Sequence, residues 1–367
     1  MSRIRETCVS RPWIGALCVA AVFNSTLVLG QQSPPKPMGA ATDAIRLAAE
    51  KIPKPIDPNQ AELDAMVESF PTYRSGGRMI SEDIVITGTE STALILMEVG
   101  RAWTAVNPQS IVTVRQTTTA GDYAALERSD TTIAAIARPL TDPELDRLRA
   151  RGKEVHEVPI ARDGVAIYVH ADNPIAGLTR RQCNGILSAT HLLHPALVLE
   201  WRDLDPNSPL GDQSFPLYLQ DARSSTMTRI TEWCMPGESL TTIETFIEHG
   251  ASSVVNACCA YRTAMGVAST SARQPRARMV PLAEEAEGPF VPPTALTIAD
   301  GSYPLCRTLN LVFLTPKGSE VPEHIREFLR FFWSEDGQSV VARVKLVPPD
   351  AKKIPPQLGT LKDGVWD

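Results

Sequence analysis

The chain has 367 residues, of which 43% are hydrophobic and 21% charged, and its formal net charge is −6. These values are typical of a soluble globular protein with room for two lobes, since single hydrophobic cores stop growing near about 250–300 residues. The basic residues are scattered, and the short run ARQPRARM has no interleaved aromatic residues, so the composition argues against a nucleic-acid-binding protein.

The N-terminus has the composition of an export signal. Three arginines precede the apolar stretch WIGALCVAAVF, and NSTLVLG follows it up to Gly30. This order of basic, apolar and small residues predicts a signal peptide over residues 1–30 and a periplasmic or extracytoplasmic location. An uncleaved anchor and a lipoprotein attached at Cys18 are the alternatives, and the cleavage point is left open.

Residues 31–80 are rich in proline and polar residues, as in QQSPPKPMG and KIPKPIDPNQ. Two short amphipathic patterns, AIRLAAEKI and AELDAMVESF, interrupt this stretch. We therefore predict a Pro-rich tether with short peripheral helices. Residues 351–367, AKKIPPQLGTLKDGVWD, are predicted to form a C-terminal tail.

From Asp83 onward, short apolar runs alternate with stretches that have apolar residues at helical spacing. The runs IVIT, SIVTVRQ, TIAAIA, GVAIYVH and PLYLQ are typical of strands. ALILMEVGRAWTAVNP, TDPELDRLRARG and LTRRQCNGIL are typical of helices, and another helix begins at Thr226. This alternation predicts parallel sheets covered by helices, in which ligands bind at the carboxyl ends of the strands.

Three of the strand-to-helix loops share one chemistry. GTEST (88–92), TTTAGD (117–122) and ARSST (222–226) are dense in hydroxyls and small residues. A helix N-terminus has free N–H groups and a partial positive charge, which suit an oxyanion. A single loop of this kind would be explained by helix capping alone. Three of them, each after a strand, point to an anion-binding site.

The ordered series of segments from about residue 83 to 349 resembles the solute-binding proteins of phosphate ABC transporters, the PstS-like family. The segments that carry the resemblance are ITGTESTALILMEVGRAW, TIAAIARPLTDPEL, VPIARDGVAIYVHADNPIAGLTRRQCNGILS with WRDL after it, ARSSTMTRITEW, RTAMGVAST, YPLCRTLNLVFL and IREFLRFFWSEDGQSVVARVKLVPP. The last two segments match the family pattern most specifically. The resemblance rests on the whole series in its order and not on any single loop.

The resemblance implies an α/β protein with the type II periplasmic-binding-protein fold, in which two hinged lobes hold the ligand in the cleft between them. Lobe one would comprise residues 81–160 plus 275–350, and lobe two residues 161–274. It further implies a monomer that binds inorganic phosphate through hydroxyls and helix N-terminal amides and delivers it to an inner-membrane ABC permease, with no enzymatic activity and no cofactor.

The candidate phosphate contacts, matched to the family by position, are Thr89, Glu90, Ser91, Thr118, Thr119, Arg138, Arg223, Ser224, Ser225 and Thr226. Arg138 has a surface ion pair as its alternative role.

The chain departs from the family pattern at several of these places. Ser225 replaces a glycine and Ala137 replaces a serine. The family has an arginine a few residues before the third loop; here Gln220 occupies about that position, and Arg223 lies within the loop. We expect Arg223 to contact the anion, because charge-assisted donors suit an oxyanion. Pointing to solvent is the alternative for this side chain.

A carboxylate would distinguish phosphate from sulfate, because monohydrogen phosphate has a proton to donate and sulfate has none. Glu90 is the leading candidate for this acceptor, with a first-turn acid favoured by the helix dipole as its alternative role. Asp163 and Asp122 are weaker candidates.

The same residues give little support to other classes of function. A hydrolase needs an activated nucleophile with an orienting base, and the six histidines show no such context. No CxxC or CxxH spacing supports a metal site. A non-transport oxyanion sensor or scaffold on the same fold, and a receptor for another oxyanion such as sulfate or molybdate, stay open. Beyond the signal, the odd number of cysteines leaves at least one unpaired thiol, and one of Cys258 and Cys259 is a candidate for a disulfide.

Overall fold

In a computed structural model that describes residues 57–74, 79–362 and 365–366, one sheet of nine strands runs through the protein. The predicted signal peptide and the helix predicted at AIRLAAEKI lie outside the described residues. In the part of the chain that the structure describes, no helix has the length and apolar character needed to cross a membrane.

The strands of this sheet and of two small separate pairs follow in chain order. They are β1 (Ile84–Gly88), β2 (Val112–Gln116), β3 (Ile133–Ile136), β4 (Lys153–His170), β5 (Leu178–Thr179), β6 (Leu217–Leu219), β7 (Thr245–Ile247), β8 (Met265–Ser269), β9 (Ala277–Met279), β10 (Leu282–Ala283), β11 (Cys306–Pro316), β12 (Leu361–Lys362) and β13 (Val365–Trp366).

The α-helices are α1 (Pro58–Val67), α2 (Glu90–Val106), α3 (Thr119–Arg128), α4 (Asp142–Ala150), α5 (Arg180–Leu187), α6 (Trp201–Leu204), α7 (Ser225–Cys234), α8 (Ala251–Ala260), α9 (Ala295–Asp300), α10 (Glu323–Phe332) and α11 (Glu335–Arg343). Short 3-10 helices lie at Thr270–Ala272 and Pro356–Leu358.

The main sheet has the strand order β2-β1-β3-β11-β4-β8-β6-β7, and β9 pairs with the end of β4. The outer strands are parallel: β1 pairs with β2 and β3, and β6 pairs with β7 and β8. In the middle, β11 and β4 are antiparallel to their neighbours. The prediction of parallel sheets therefore holds for the outer strands and is wrong for the centre.

The strands β4 and β11 carry the chain between two α/β lobes. β4 is 18 residues long; its first part pairs with β11 and its last part with β8 and β9. We call the part built on β1, β2 and β3 lobe one and the part built on β6, β7 and β8 lobe two. β9 (Ala277–Met279) pairs with residues 168–170 at the end of β4, and β11 follows next to the first part of β4. The predicted lobe boundaries at residues 160 and 275 stay predictions.

Each lobe has its own core. In lobe one, α10 places Ile325, Phe328, Leu329 and Phe332 on one face at helical spacing, and all four are buried with Trp103 of α2. In lobe two, α7 packs on one side of the sheet and α8 on the other. Burial of these apolar side chains fixes the strand ends that open on the site.

Both ends of the described chain pack on this framework. Asp57 caps α1 by accepting from Asn59 N at 3.0 Å, and Leu63 of the same helix is buried, so a helix is present where AELDAMVESF predicts one. In the predicted tail, Leu358 is buried and its carbonyl accepts from Arg330 Nε at 2.7 Å. The first part of residues 351–367 is thus packed against lobe one.

Within the described residues, no pair of cysteines forms a disulfide. Cys183, Cys234, Cys258, Cys259 and Cys306 are all free thiols. Cys258 lies in the apolar face of α8, and burial raises the pKa of its thiol to about 12. The suggested disulfide at Cys258 or Cys259 is therefore wrong, and the two residues fill core space.

Candidate functional site

A cleft of about 440 Å³ opens between the two lobes. Residues from the N-terminal turns of α2, α7 and α8, and from the loop that leads into α3, line it. The lining includes Thr89, Glu90, Ser91, Thr117 and Thr118 of lobe one, and Gln220, Arg223, Ser224, Ser225, Thr226, Ser252, Ser269 and Ser271 of lobe two. Hydroxyls therefore dominate the polar groups of the cleft.

Local capping explains where two of these helices begin. Thr118 accepts from Gly121 N at 3.1 Å at the start of α3, and Ser224 accepts from Met227 N at 3.2 Å at the start of α7. Thr89, which precedes α2, makes no such capping bond with its side chain. Its hydroxyl is instead hydrogen-bonded to Ser91 Oγ at 2.9 Å, so this N-cap faces the cleft.

A chain of hydroxyls crosses from one lobe to the other. Ser91 Oγ of lobe one lies 3.0 Å from Ser225 Oγ of lobe two, within hydrogen-bond distance. Arg307 Nη1, on β11, donates to the same Ser225 oxygen at 3.1 Å. The hydroxyls of both lobes are thus connected to one buried guanidinium group.

That guanidinium is held by a buried carboxylate. Arg307 Nη2 and Nε donate to Asp163 Oδ2 at 2.7 and 3.1 Å. Asp163 Oδ1 accepts from Ser269 Oγ at 2.8 Å and from Thr270 Oγ1 at 3.2 Å. Both carboxylate oxygens of Asp163 are therefore occupied, which removes the side chain as an acceptor for a ligand proton.

Sequence reasoning missed Arg307. The residue stands in YPLCRTLNLVFL, which carries the family resemblance, but its role at the cleft depends on a contact with Asp163 across 144 residues of sequence. The only available signal was an arginine inside an otherwise apolar strand, because such a charge needs a buried partner.

Two of the predicted contacts lie outside the cleft. Arg138 Nη1 and Nη2 donate to the two carboxylate oxygens of Glu144 on α4, at 2.8 and 2.7 Å. These hydrogen bonds from Arg138 are the main reason why the pKa of Glu144 is lowered to about 2. Arg138 and Thr119 are both absent from the cleft wall, so the structure brings together eight of the ten candidates.

Arg223 lies on the rim. Its side chain is 83% exposed and donates to Asp221 of its own loop, with Nε 2.9 Å from Oδ1. The side chain therefore points to solvent, against the expectation of an anion contact. Ser225 and Thr226 from the same loop, by contrast, face the interior of the cleft, and Thr226 is 2% exposed.

Glu90 and Gln220 meet across the cleft. Gln220 Nε2 donates to Glu90 Oε2 at 2.8 Å, and Ala251 N donates to Glu90 Oε1 at 3.3 Å. Both Glu90 oxygens thus accept from lobe two. The glutamine at the expected place of an arginine is therefore matched by an acidic partner in the opposite lobe.

Asp122 is buried behind the lobe-one loops. Neither of its carboxylate oxygens nor the hydroxyl of Thr87 has a hydrogen-bond partner. Burial raises the pKa of Asp122 to about 7, and the nearby Thr87 hydroxyl opposes this shift without reaching hydrogen-bond geometry. Asp122 does not line the cleft.

Among the residues that the structure describes, no cluster of three or more His, Cys, Asp or Glu side chains could hold a metal ion.

Residues 64–336 match the sequence profile of the PBP superfamily domain. The chain belongs to the PBP superfamily. The phosphate-binding protein PstS of Pseudomonas aeruginosa is 24% identical to this chain over 291 residues, which cover 78% of this chain and 89% of that protein.

Solved structures agree on the fold. A possible phosphate binding protein from Planctomyces limnophilus matches with a TM-score of 0.60 and 22% identity, over 76% of this chain and 98% of that one. A putative phosphate ABC transporter substrate-binding protein from Clostridium perfringens, solved with bound phosphate, matches with a TM-score of 0.58 and 21% identity, over 72% and 99%. The predicted type II periplasmic-binding-protein fold is confirmed.

Proposed function

We propose that this protein binds inorganic phosphate in the cleft between its lobes, outside the cytoplasm, and delivers it to an ABC permease. The observation that carries the proposal is the chain of hydroxyls from Thr89 and Ser91 to Ser225, which joins two lobes and ends on the buried Arg307. The anion would take the place of the direct bond between Ser91 and Ser225.

The chemistry of this cleft suits a tetrahedral oxyanion. Hydroxyls and helix N-terminal N–H groups are donors that surround an anion without bringing charges that need partners of their own. One guanidinium group already bonded to Asp163 adds positive character while it stays fixed in place. Donors held on helix starts of both lobes favour a ligand that all of them reach at once.

The transport role rests on the relatives. The named relatives are phosphate-binding proteins, and one solved structure is called an ABC-type phosphate transport receptor, from Vibrio cholerae. A signal peptide over residues 1–30 would place this chain outside the inner membrane, where such a receptor meets its permease. We propose that it acts there as a monomer and as a binding protein without enzymatic activity.

Calorimetric titration of the mature protein tests the proposal, with phosphate, arsenate, sulfate and molybdate as ligands. We expect phosphate and arsenate to compete for one site and to bind more tightly than sulfate. The double variant Ser91→Ala, Ser225→Ala should weaken phosphate binding at least about tenfold, since one hydrogen bond to a charged group contributes about 1.5–3 kcal/mol.

Thr228→Ala is the matched control, because Thr228 lies on α7 with its exposed hydroxyl bonded to Ser224 O, outside the cleft. This variant should bind as the unchanged protein does. No binding of any of the four anions, or equal binding by the control and the double variant, would contradict the proposal.

A further inference from the structure

Glu90 joins the two lobes at the mouth of the cleft. As the first residue of α2 it belongs to lobe one, yet both of its oxygens accept from lobe two, from Gln220 Nε2 at 2.8 Å and from Ala251 N at 3.3 Å. Ala251 begins α8, so the carboxylate sits at the N-terminus of a helix in the opposite lobe.

The backbone of lobe two leaves room for this carboxylate. Gly250, the N-cap of α8, has φ 99°, and a Cβ on it would lie 2.7 Å from Glu90 Oε1. A side chain at position 250 would therefore both strain the backbone and displace Glu90. The negative charge of Glu90 faces the partial positive charge of the helix start and an amide donor, which compensate it without a cation.

We propose that Glu90 is a closure latch: a positioning residue whose carboxylate ties lobe one to Gln220 and to the start of α8 and so stabilises the closed arrangement of the lobes. This inference rests on the proposed function, because it assigns to Glu90 a part in how the site holds its anion. Glu90 acts through lobe closure and not as an acceptor for the proton of the ligand.

Contacts that exist only when two lobes are together shift the equilibrium between open and closed forms by their own free energy. A latch of this kind raises the apparent affinity for every anion by the same factor, since it touches none of them. It also slows release of the ligand more than it changes capture, because release requires the latch to open. A proton acceptor would instead change the preference among anions.

The first test is a double-mutant cycle with Glu90→Ala, Gln220→Ala and the double variant, in which phosphate, arsenate and sulfate affinities and the phosphate release rate are measured. Each single variant should bind at least about tenfold more weakly, as expected for the loss of one or two hydrogen bonds to a charged group. The double variant should be no weaker than the weaker single variant, because both changes break the same contact.

Glu98→Ala is the matched control, since Glu98 is a carboxylate on the same helix that pairs with Arg101. It should leave affinities and release rate unchanged. Additive losses in the double variant, or a loss confined to one anion, would overturn the latch.

The second test needs no ligand. Ser91 Oγ and Ser225 Oγ lie 3.0 Å apart, so the pair Ser91→Cys, Ser225→Cys should oxidise to a disulfide when the lobes are closed. Adding Glu90→Ala to that pair should slow disulfide formation severalfold, whereas adding Glu98→Ala should not. Equal rates with and without Glu90 would overturn the latch even if phosphate binds, and a slowed rate would support it even if the unchanged protein binds no anion.

Discussion

Two arginines near the cleft make ion pairs of nearly the same length in opposite surroundings. Arg307 Nη2 lies 2.7 Å from Asp163 with side chains 3% and 1% exposed, and Arg223 Nε lies 2.9 Å from Asp221 with side chains 83% and 55% exposed. Water screens the second pair, so its net contribution is small. The comparison shows that burial, and not distance, determines which arginine the site depends on.

Removal of the buried guanidinium is expected to have the largest effect. Arg307→Leu leaves Asp163 buried without its cation, which costs about 3–5 kcal/mol in the free energy of unfolding. Phosphate binding should be lost as well, because Ser225 loses its donor. Urea denaturation and calorimetry measure the two effects, and a loss under 1 kcal/mol would contradict the importance assigned to burial.

Asp122 extends the comparison to a buried carboxylate that has no partner. The folded protein keeps the proton on Asp122 up to about pH 7, whereas in the unfolded chain the carboxyl releases it near its ordinary value of 3.8. Between these pH values the folded state binds more protons, so this group makes stability fall as pH rises, by at most about 4 kcal/mol at 1.36 kcal/mol per pKa unit.

Asp122→Asn should remove that fall. Urea denaturation of both proteins at pH 5 and pH 8 would show the variant gaining stability relative to the unchanged protein at the higher pH. Parallel pH dependences of the two proteins would contradict the raised pKa.

The ion pair of Arg138 and Glu144 is intermediate in exposure between the other two, with side chains 33% and 12% exposed. We expect Arg138→Ala to cost about 1 kcal/mol at pH 7, at the upper end of the range for exposed pairs. Because the pKa of Glu144 is lowered to about 2, this contribution is present above pH 4.5 and is lost as pH falls towards 2. The phosphate affinity should not change. A weaker affinity of the variant would mean that Arg138 takes part in phosphate binding.

The exposed arginine should matter least. Arg223→Ala should change the free energy of unfolding by less than about 0.5 kcal/mol, as is usual for exposed positions. A positive rim charge still attracts anions at low salt, so the association rate should fall about twofold there and be unchanged at high salt. Stopped-flow binding at two salt concentrations tests this, and a large loss that persists at high salt would mean that Arg223 contacts the anion.

The sequence predicted the parts of the fold and site that depend on neighbours in the chain. IVIT, TIAAIA and the helix after ARSST show their structures in local periodicity, and Ser224 and Thr118 show their capping roles by their place after a strand. The cleft wall could be predicted because helix starts after parallel strands meet at one edge of the sheet.

The remainder depends on contacts between distant residues. Nothing near Gln220 in the sequence indicates that Glu90, 130 residues away, accepts its amide. The same holds for Arg307 and Asp163, and for β11, whose antiparallel insertion between β3 and β4 has no local signal. Arg138 is bonded to Glu144 of α4, the ion pair that the sequence offered as its alternative role, and its contact with the anion stays a prediction.

The position of β11 has a consequence for the order of folding. β3 and β4 do not pair with each other; each pairs with β11, which lies between them and is among the last strands to be synthesised. Pairing over so long a separation in sequence is slow, because the intervening loop must close first. Lobe two, whose strands lie within one shorter stretch, is free to form earlier. The edge of β3 that pairs with β11 therefore stays unpaired until late in synthesis, although β1, β2 and β3 can already pair with one another.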